Sequence, residues 1–538
     1  MSAKLKDEGH GRKVHVAIVG AGLAGISTAI ALKRKLGFEN FTIFERAKAV
    51  GGTWRDNTYP GCGSDNAIHW YSLSTELNPN WKNRYGTQPE ICKYWDTLWH
   101  KHNLESHTVF KTEVVDAQWS QEDQRYTITL EDMMTKERRT IEAEVLVYAI
   151  GGFHQPFWPA DLPGRENFNG EVFHSARWRH DVDLKSKKVG VIGNGCSAAQ
   201  FIPAISREAS TEVVNFCRTP QWLTPRRDHP YSPLRQWIFA NIPLVMRLHR
   251  NWLMLTADTN FMIFRKKNVR LVSLAKKQLT EHIKRKAPQE YLEHLIPNYS
   301  PGCKRIIIDP GYLKCLNQSN VSLKYDAIET ITQGGIKLQK GEEIALDVII
   351  FGTGYQLLDD HIKVRGSQGY TMTDYFRRKG GPMAYLGLCM PGFPNLFSLL
   401  GPNVATGHAS VIFSEECQIN YLLQLIQPVI QGKAKSFEIT AQATDEYNDW
   451  LQTRLSDSVW TECASYYHSG RDGTSRISAT FPGPVTLFWW LTRRPKWDLF
   501  HGVDSAAWER DRKVEKVKTW FLFSIGIAVV GVLFKGWL

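Results

Sequence analysis

Two glycine-spaced turns carry the chemistry that this chain's residue types allow. The apolar run Val14 to Val19 opens into Gly20, Gly22 and Gly25, in G-x-G-x-x-G form, ahead of a stretch rich in Ala, Ile and Leu. Glycines at this spacing let a backbone turn tightly and approach a pyrophosphate at a helix N-terminus, where free N–H groups and the helix dipole favour negative charge. The next apolar run, Phe41 to Phe44, ends in Glu45, twenty residues beyond Gly25. An acid there accepts from ribose hydroxyls. A later run, Val189 to Ile192, opens into Gly193, Gly195 and, beyond Ser197, Ala198, the form of a second dinucleotide-binding turn. About twenty-five residues further on, Arg218 and Thr219 follow the run Val213 to Phe216. An arginine where an NAD site places an acid suits the extra 2'-phosphate of NADP, so NADPH is preferred over NADH.

These turns must sit on strands and helices, and 538 residues are enough for two or three domains with their own cores. The formal charge of +12 is spread along the chain and gathered in no tract, which favours phosphate-rich cofactors and an anionic membrane surface over nucleic acid. The nine cysteines stand singly, with no C-x-x-C pair, so a reducing compartment is favoured and a structural metal is not. Near Gly51, Gly52, Thr53 and Trp54, a disulfide reductase on this scaffold would carry a C-x-x-x-x-C pair; only Cys62 is present. Electrons from a redox cofactor must then go elsewhere, and a cofactor that reacts directly with oxygen is favoured. The N-terminus lacks the apolar core of a signal peptide. From Trp520 to Leu538 the chain is almost wholly apolar, after Arg510, Arg512, Lys513, Lys516 and Lys518. That pattern predicts a transmembrane tail helix over 518–538 with its basic flank in the cytosol, the alternative being a terminal helix packed on the protein or in a dimer interface.

Gly51-Gly52-x-Trp54, Tyr59-Pro60-Gly61 and Asp65, followed by Phe168-x-Gly170-x-x-x-His174-x-x-x-Trp178, resemble the paired signatures of the Baeyer-Villiger monooxygenases, flavin enzymes of class B. One residue departs from that pattern: Arg179 stands where the family commonly has Pro or Asp. The resemblance implies an α/β fold of two dinucleotide-binding, Rossmann-like domains, the NADPH domain inserted in a discontinuous FAD domain. The expected divisions are 13–150 and 347–510 for the FAD domain with the C-terminal region, 151–225 and 301–346 for the NADPH domain, and 226–300 for a helical insertion that walls the substrate pocket. In this reading Val348 to Phe351 leads the chain back to the flavin domain, and a helix runs from about Ser410 to Gln427.

The resemblance also assigns roles. Gly20, Gly22, Gly25, Glu45, Gly52, Thr53, Trp54, Asp65, Tyr71 and Val114 would hold FAD, and Gly193, Gly195, Ser197, Ala198, Arg218, Thr219 and Lys304 would hold NADPH. His174 and Trp178 lie on the crossover between domains, as packing and hinge or nearer the chemistry. Arg305, ordered by Asp65, would be catalytic, stabilising negative charge as a C4a-peroxyflavin attacks a ketone. The implied activity is insertion of one atom of O2 into a lipophilic ketone, giving an ester or lactone, in lipid or fungal secondary metabolism. A related flavin monooxygenase that epoxidises, hydroxylates or oxidises N or S is the alternative, and a non-catalytic nucleotide-binding or redox-sensing membrane protein the distant one. The tail and the aromatic, basic stretch Leu487 to Trp497 place the expected enzyme on the endoplasmic reticulum membrane, its catalytic domain cytosolic.

Overall fold

The computed structural model describes residues 13–357 and 362–514. Its frame is two five-stranded parallel sheets. The first contains β1 (Val16–Val19), β2 (Phe41–Phe44), β3 (Thr108–Val109) and β4 (Val145–Tyr148). The chain then builds the second from β5 (Glu171–His174), β6 (Lys188–Ile192), β7 (Glu212–Phe216), β8 (Val321–Lys324) and β9 (Val348–Phe351), in the order β8-β7-β6-β9-β5. It returns to the first sheet with β10 (Leu396–Ser398), completing the order β10-β4-β1-β2-β3. Parallel strands covered on both faces read as unbroken apolar runs, and all four residues of β1 are buried.

The helices that matter to the site are α1 (Leu23–Ala31), α2 (Cys196–Ile205), α3 (Pro233–Asn241), α4 (Val245–Thr259), α5 (Val269–Lys286), α6 (Val411–Ile430) and α7 (Val485–Thr492). α1 and α2 each follow the first strand of a glycine motif, and α6 packs against α1. An antiparallel sheet over 112–143, with Lys363–Arg365 on its edge, adds a core of Trp119, Tyr126, Leu146 and Phe393 beside the first sheet.

Three expectations are revised here. Val348–Phe351 stays in the second sheet, paired in parallel with both β5 and β6, and the return to the first sheet comes after it. A buried apolar run fits between strands of either sheet, so its type alone does not choose. The cysteines do not all stand singly, because Cys303 and Cys463 form a disulfide across 160 residues of sequence. The membrane-spanning tail is also corrected. Among the described residues no helix is long and apolar enough to cross a membrane, and the segment 518–538 lies outside them. The aromatic and aliphatic stretch over 231–264 is cut by Pro243 and Leu244 into α3 and α4, and Arg250 is buried on α4. The fold is therefore mixed α/β without a membrane-crossing helix among its described residues, and a membrane anchor and a location at the endoplasmic reticulum are not retained.

Candidate active site

β1 ends at Gly20 with φ +103°, and a Cβ on Gly25 would fall 1.9 Å from the Gly20 carbonyl oxygen, so both positions require glycine. Gly22 then opens α1 with no side-chain cap and no acid in the first turn, which leaves the first N–H groups for an anion. The second glycine pair closes on this turn. Gly51 N donates to Ala21 O at 3.0 Å, and a Cβ on Gly52 would lie 3.0 Å from Gly22 Cα. Glu45, buried at the end of β2, accepts from Ala21 N at 2.9 Å, Ala47 N at 2.9 Å and Arg55 Nη1 at 3.1 Å. Two carboxylate oxygens have about four acceptor sites, so capacity for a ribose hydroxyl remains. Thr53 begins the short helix Thr53–Asp56, and Trp54 Nε1 donates to Tyr71 Oη at 3.2 Å. Val114 is buried on the strand Thr112–Ser120, at a register shift opposite Leu130, and Thr112 N ties that strand to Glu45 O at 3.0 Å.

The second turn repeats the path. Gly193 has φ +106°, and Gly195 opens α2 without a side-chain cap or an acid in the first turn. Ser197 is half-buried in that turn and Ala198 buried beneath it. Here a Cβ on Gly195 would meet nothing within 4 Å. Asn194 Nδ2 donates to Thr219 O at 3.0 Å, drawing the segment after β7 to the turn. Arg218 is 86% exposed, with Asp161 at 3.9 Å. Burial and the neighbouring Arg218 hold Lys304 below the usual lysine range. Two cations near enough to repel each other form a donor set for a phosphate dianion.

Between the turns, Arg305 meets Asp65. Arg305 Nε and Nη2 donate to Asp65 Oδ2 at 3.1 and 2.7 Å, and Nη1 donates to Gly407 O at 3.1 Å. Burial opposes the guanidinium charge, but Asp65, with Tyr467, Tyr466 and Cys196 adding to it, holds Arg305 above its ordinary value. Five N–H groups less three leave one on each terminal nitrogen. The rings of Tyr466 and Tyr467 lie 4.6 Å apart, tilted by 54°, and both interact electrostatically with the same arginine. The loop that carries Asp65 docks on α2: Tyr59 Oη donates to Gln200 Oε1 at 2.9 Å, and a Cβ on Gly61 would lie 2.6 Å from Gln200 O. The disulfide joins the approach to Arg305 to the segment that carries Tyr466 and Tyr467.

The long signature packs the second sheet. Phe168 is buried, and a Cβ on Gly170 would fall 2.3 Å from Asp347 O. His174 ends β5, accepts at Nδ1 from Ala176 N at 3.0 Å, and is pushed down to about 4 by burial and then by Arg177. Trp178 follows a 3-10 turn and packs on Phe173 and Phe201, each at 5.3 Å. His174 and Trp178 therefore share no helix face. Arg179 points to the surface, paired with Glu171 at 3.2 Å and with Asp181. Reading the sequence missed Gly407, Tyr466, Tyr467 and Gln200, as well as Glu415 on α6, which burial pushes up to about 8. The Gly-His step just before α6 is a local signal for Gly407; nothing local marks the two tyrosines.

Residues 13–368 match the model of the flavin-binding monooxygenase-like family. The chain is 36% identical to a Baeyer-Villiger monooxygenase of Pseudomonas aeruginosa, over 91% of this chain and 92% of that one. It is 34% identical to a Baeyer-Villiger monooxygenase of Streptomyces coelicolor, over 89% and 91% respectively. The crystal structure of cyclohexanone monooxygenase from Rhodococcus sp. Phi1 bound to NADP+ superposes with a TM-score of 0.80 at 25% identity, covering 91% of this chain and 99% of that one.

Proposed function

Because the chain belongs to the flavin-binding monooxygenase-like family, and is thus a flavin-dependent oxidoreductase, we propose that it converts a lipophilic ketone to an ester or lactone by Baeyer-Villiger oxidation. The balance is ketone, O2, NADPH and a proton to ester, water and NADP+. FAD fits the first turn and NADPH the second on the geometry of this chain: two uncapped helix N-termini, two glycine positions closed to any side chain, and the paired cations Lys304 and Arg218. The redox and oxygen chemistry is supplied by bound FAD, with NADPH as the hydride source.

What the chain adds is position and charge. Glu45 and the α1 N-terminus hold the flavin dinucleotide. Lys304 and Arg218 select the 2'-phosphate. Arg305 carries the reading, because Asp65 and Gly407 O fix it between the two turns with two N–H groups unspent. A fixed guanidinium screened from water stabilises negative charge that develops beside it, without reorganisation. Tyr466 and Tyr467, kept neutral by burial, neighbour Arg305 and support an apolar substrate. The same proposal divides the chain into a flavin unit interrupted by an NADPH unit with a helical insertion at about 226–300, and the NADPH unit includes β9.

The test is turnover of the FAD-loaded protein with NADPH and 18O2 on hydrophobic ketones, an amine, a sulfide and an alkene. An ester or lactone carrying one 18O supports the proposal. Products from the amine, sulfide or alkene alone point to the related monooxygenase, and absence of NADPH oxidation to a non-catalytic protein.

A further inference from the structure

We propose that Asp258 and His408 are positioning residues for Arg305, acting through the carbonyl of Gly407; the inference rests on the reading of Arg305 given above. Asp65 fixes only one edge of the guanidinium. The remaining bond, from Nη1 to Gly407 O at 3.1 Å, depends on where the Gly407–His408 step lies. His408 Nε2 stands 3.3 Å from Asp258 Oδ1, and the two side chains are 2% and 8% exposed. The His408 ring packs against Phe261 at 5.7 Å and Phe264 at 5.6 Å. Asp258, Phe261 and Phe264 all come from the end of α4 and the 3-10 turn Asn260–Phe264 that follows it. One short stretch of the helical insertion thus grips the residue next to the arginine's carbonyl partner.

Two observations make this grip rigid. Asp258 also accepts from Val485 N at 2.6 Å and from Thr486 N and Oγ1 at 3.3 and 2.9 Å, at the start of α7. Phe264 packs against the backbone of both Gly407 and Gly302. A Cβ on Gly407 would lie 3.3 Å from its ring, and one on Gly302, three residues before Arg305, would lie 2.3 Å away. Trp460 stacks behind Phe264 at 5.3 Å. A buried aspartate–histidine pair is poor evidence for stability, since removing two charges from water costs about what their attraction returns. Its location next to Gly407 gives it a use.

The test compares FAD-loaded wild type with His408→Phe, which keeps the ring packing and loses the donor, His408→Gln, which keeps a donor, and Asp258→Asn. FAD content, melting temperature, and NADP+ affinity read from the flavin absorbance come first. His408→Phe and Asp258→Asn are expected to keep FAD and to hold NADP+ affinity within about twofold, while ester formed per NADPH falls about tenfold, the weight of a hydrogen bond to a charged group. Hydrogen peroxide makes up the difference, His408→Gln recovers most of the yield, and His408→Phe adds nothing in an Arg305→Ala background. The inference is overturned if His408→Phe and Asp258→Asn keep the wild-type yield, or if yield falls only in step with FAD and NADP+ binding. Should His408→Phe not fold, Asp258→Asn decides alone. If Arg305→Ala itself forms ester at the wild-type yield, the reading of Arg305 fails; if Arg305→Ala loses the ester and the two variants do not, only this inference fails.

Discussion

The two dinucleotide turns share a backbone path and differ in how much of the site the protein itself has filled. At the first, Gly51 N bonds back to Ala21 O, Gly52 lies against Gly22, and Glu45 is bonded to the Ala21 amide within the turn. At the second, Gly195 faces open space, Arg218 is 86% exposed, and Lys304 and Arg218 repel each other. A closed, pre-bonded turn loses little freedom when its ligand binds, which suits a resident cofactor. An open turn with like charges in waiting suits a co-substrate that must arrive and leave.

Substitutions at one glycine of each turn test that contrast most severely. Gly25→Ala puts a Cβ 1.9 Å from Gly20 O and is expected to abolish FAD retention, measured by flavin absorbance after gel filtration. Gly195→Ala meets no protein atom within 4 Å. It is expected to keep FAD and to raise the NADPH KM about tenfold, as one methyl group displaces a close ligand approach; an unchanged KM would break the comparison. Lys304→Ala, with Arg218→Ala beside it, should raise the NADPH KM about tenfold to hundredfold with little change in kcat, and should narrow the preference over NADH.

Two pH effects are smaller. Burial and Arg218 lower the Lys304 pKa, while a bound 2'-phosphate favours the charged lysine. The NADPH KM should therefore rise with pH through that lowered pKa, earlier than an ordinary lysine would allow, and Lys304→Arg should flatten the rise. The Glu415 shift is in the opposite direction and acts on stability. Burial raises its carboxyl from 4.5 to about 8, so the folded state holds a proton that the unfolded chain releases, and stability falls as pH climbs across that window. Glu415→Gln is expected to flatten melting temperature against pH between those values.

What could be read from the sequence was local. Strand, turn and helix at each glycine motif follow from spacing, as does the acid that ends β2, because a few adjacent residues decide them. Val411–Ile430 likewise begins where the Gly-His-Ala-Ser step ends. What could not be read was set by distant partners. Whether Val348–Phe351 joins one sheet or the other depends on strands more than 150 residues upstream. Cys303 and Cys463 are separated by 160 residues. Asp258 looks like one more charge in a helical stretch until its contacts with His408 and α7 are seen. The apolar tail over 518–538 reads as a membrane span on composition alone; it lies outside the described residues, none of whose helices is long and apolar enough to cross a membrane.

Arg305, fixed by Asp65, is the residue on which the proposed oxygen insertion depends. The most direct measurement is a single turnover of FAD-loaded Arg305→Ala with NADPH, 18O2 and a ketone that the wild type converts, with flavin content determined on the same sample. Full flavin occupancy and continued NADPH oxidation to hydrogen peroxide are expected, with labelled ester reduced at least about hundredfold, the scale of one lost charge-stabilising group in a catalytic site. Labelled ester at the wild-type yield would contradict that dependence on Arg305.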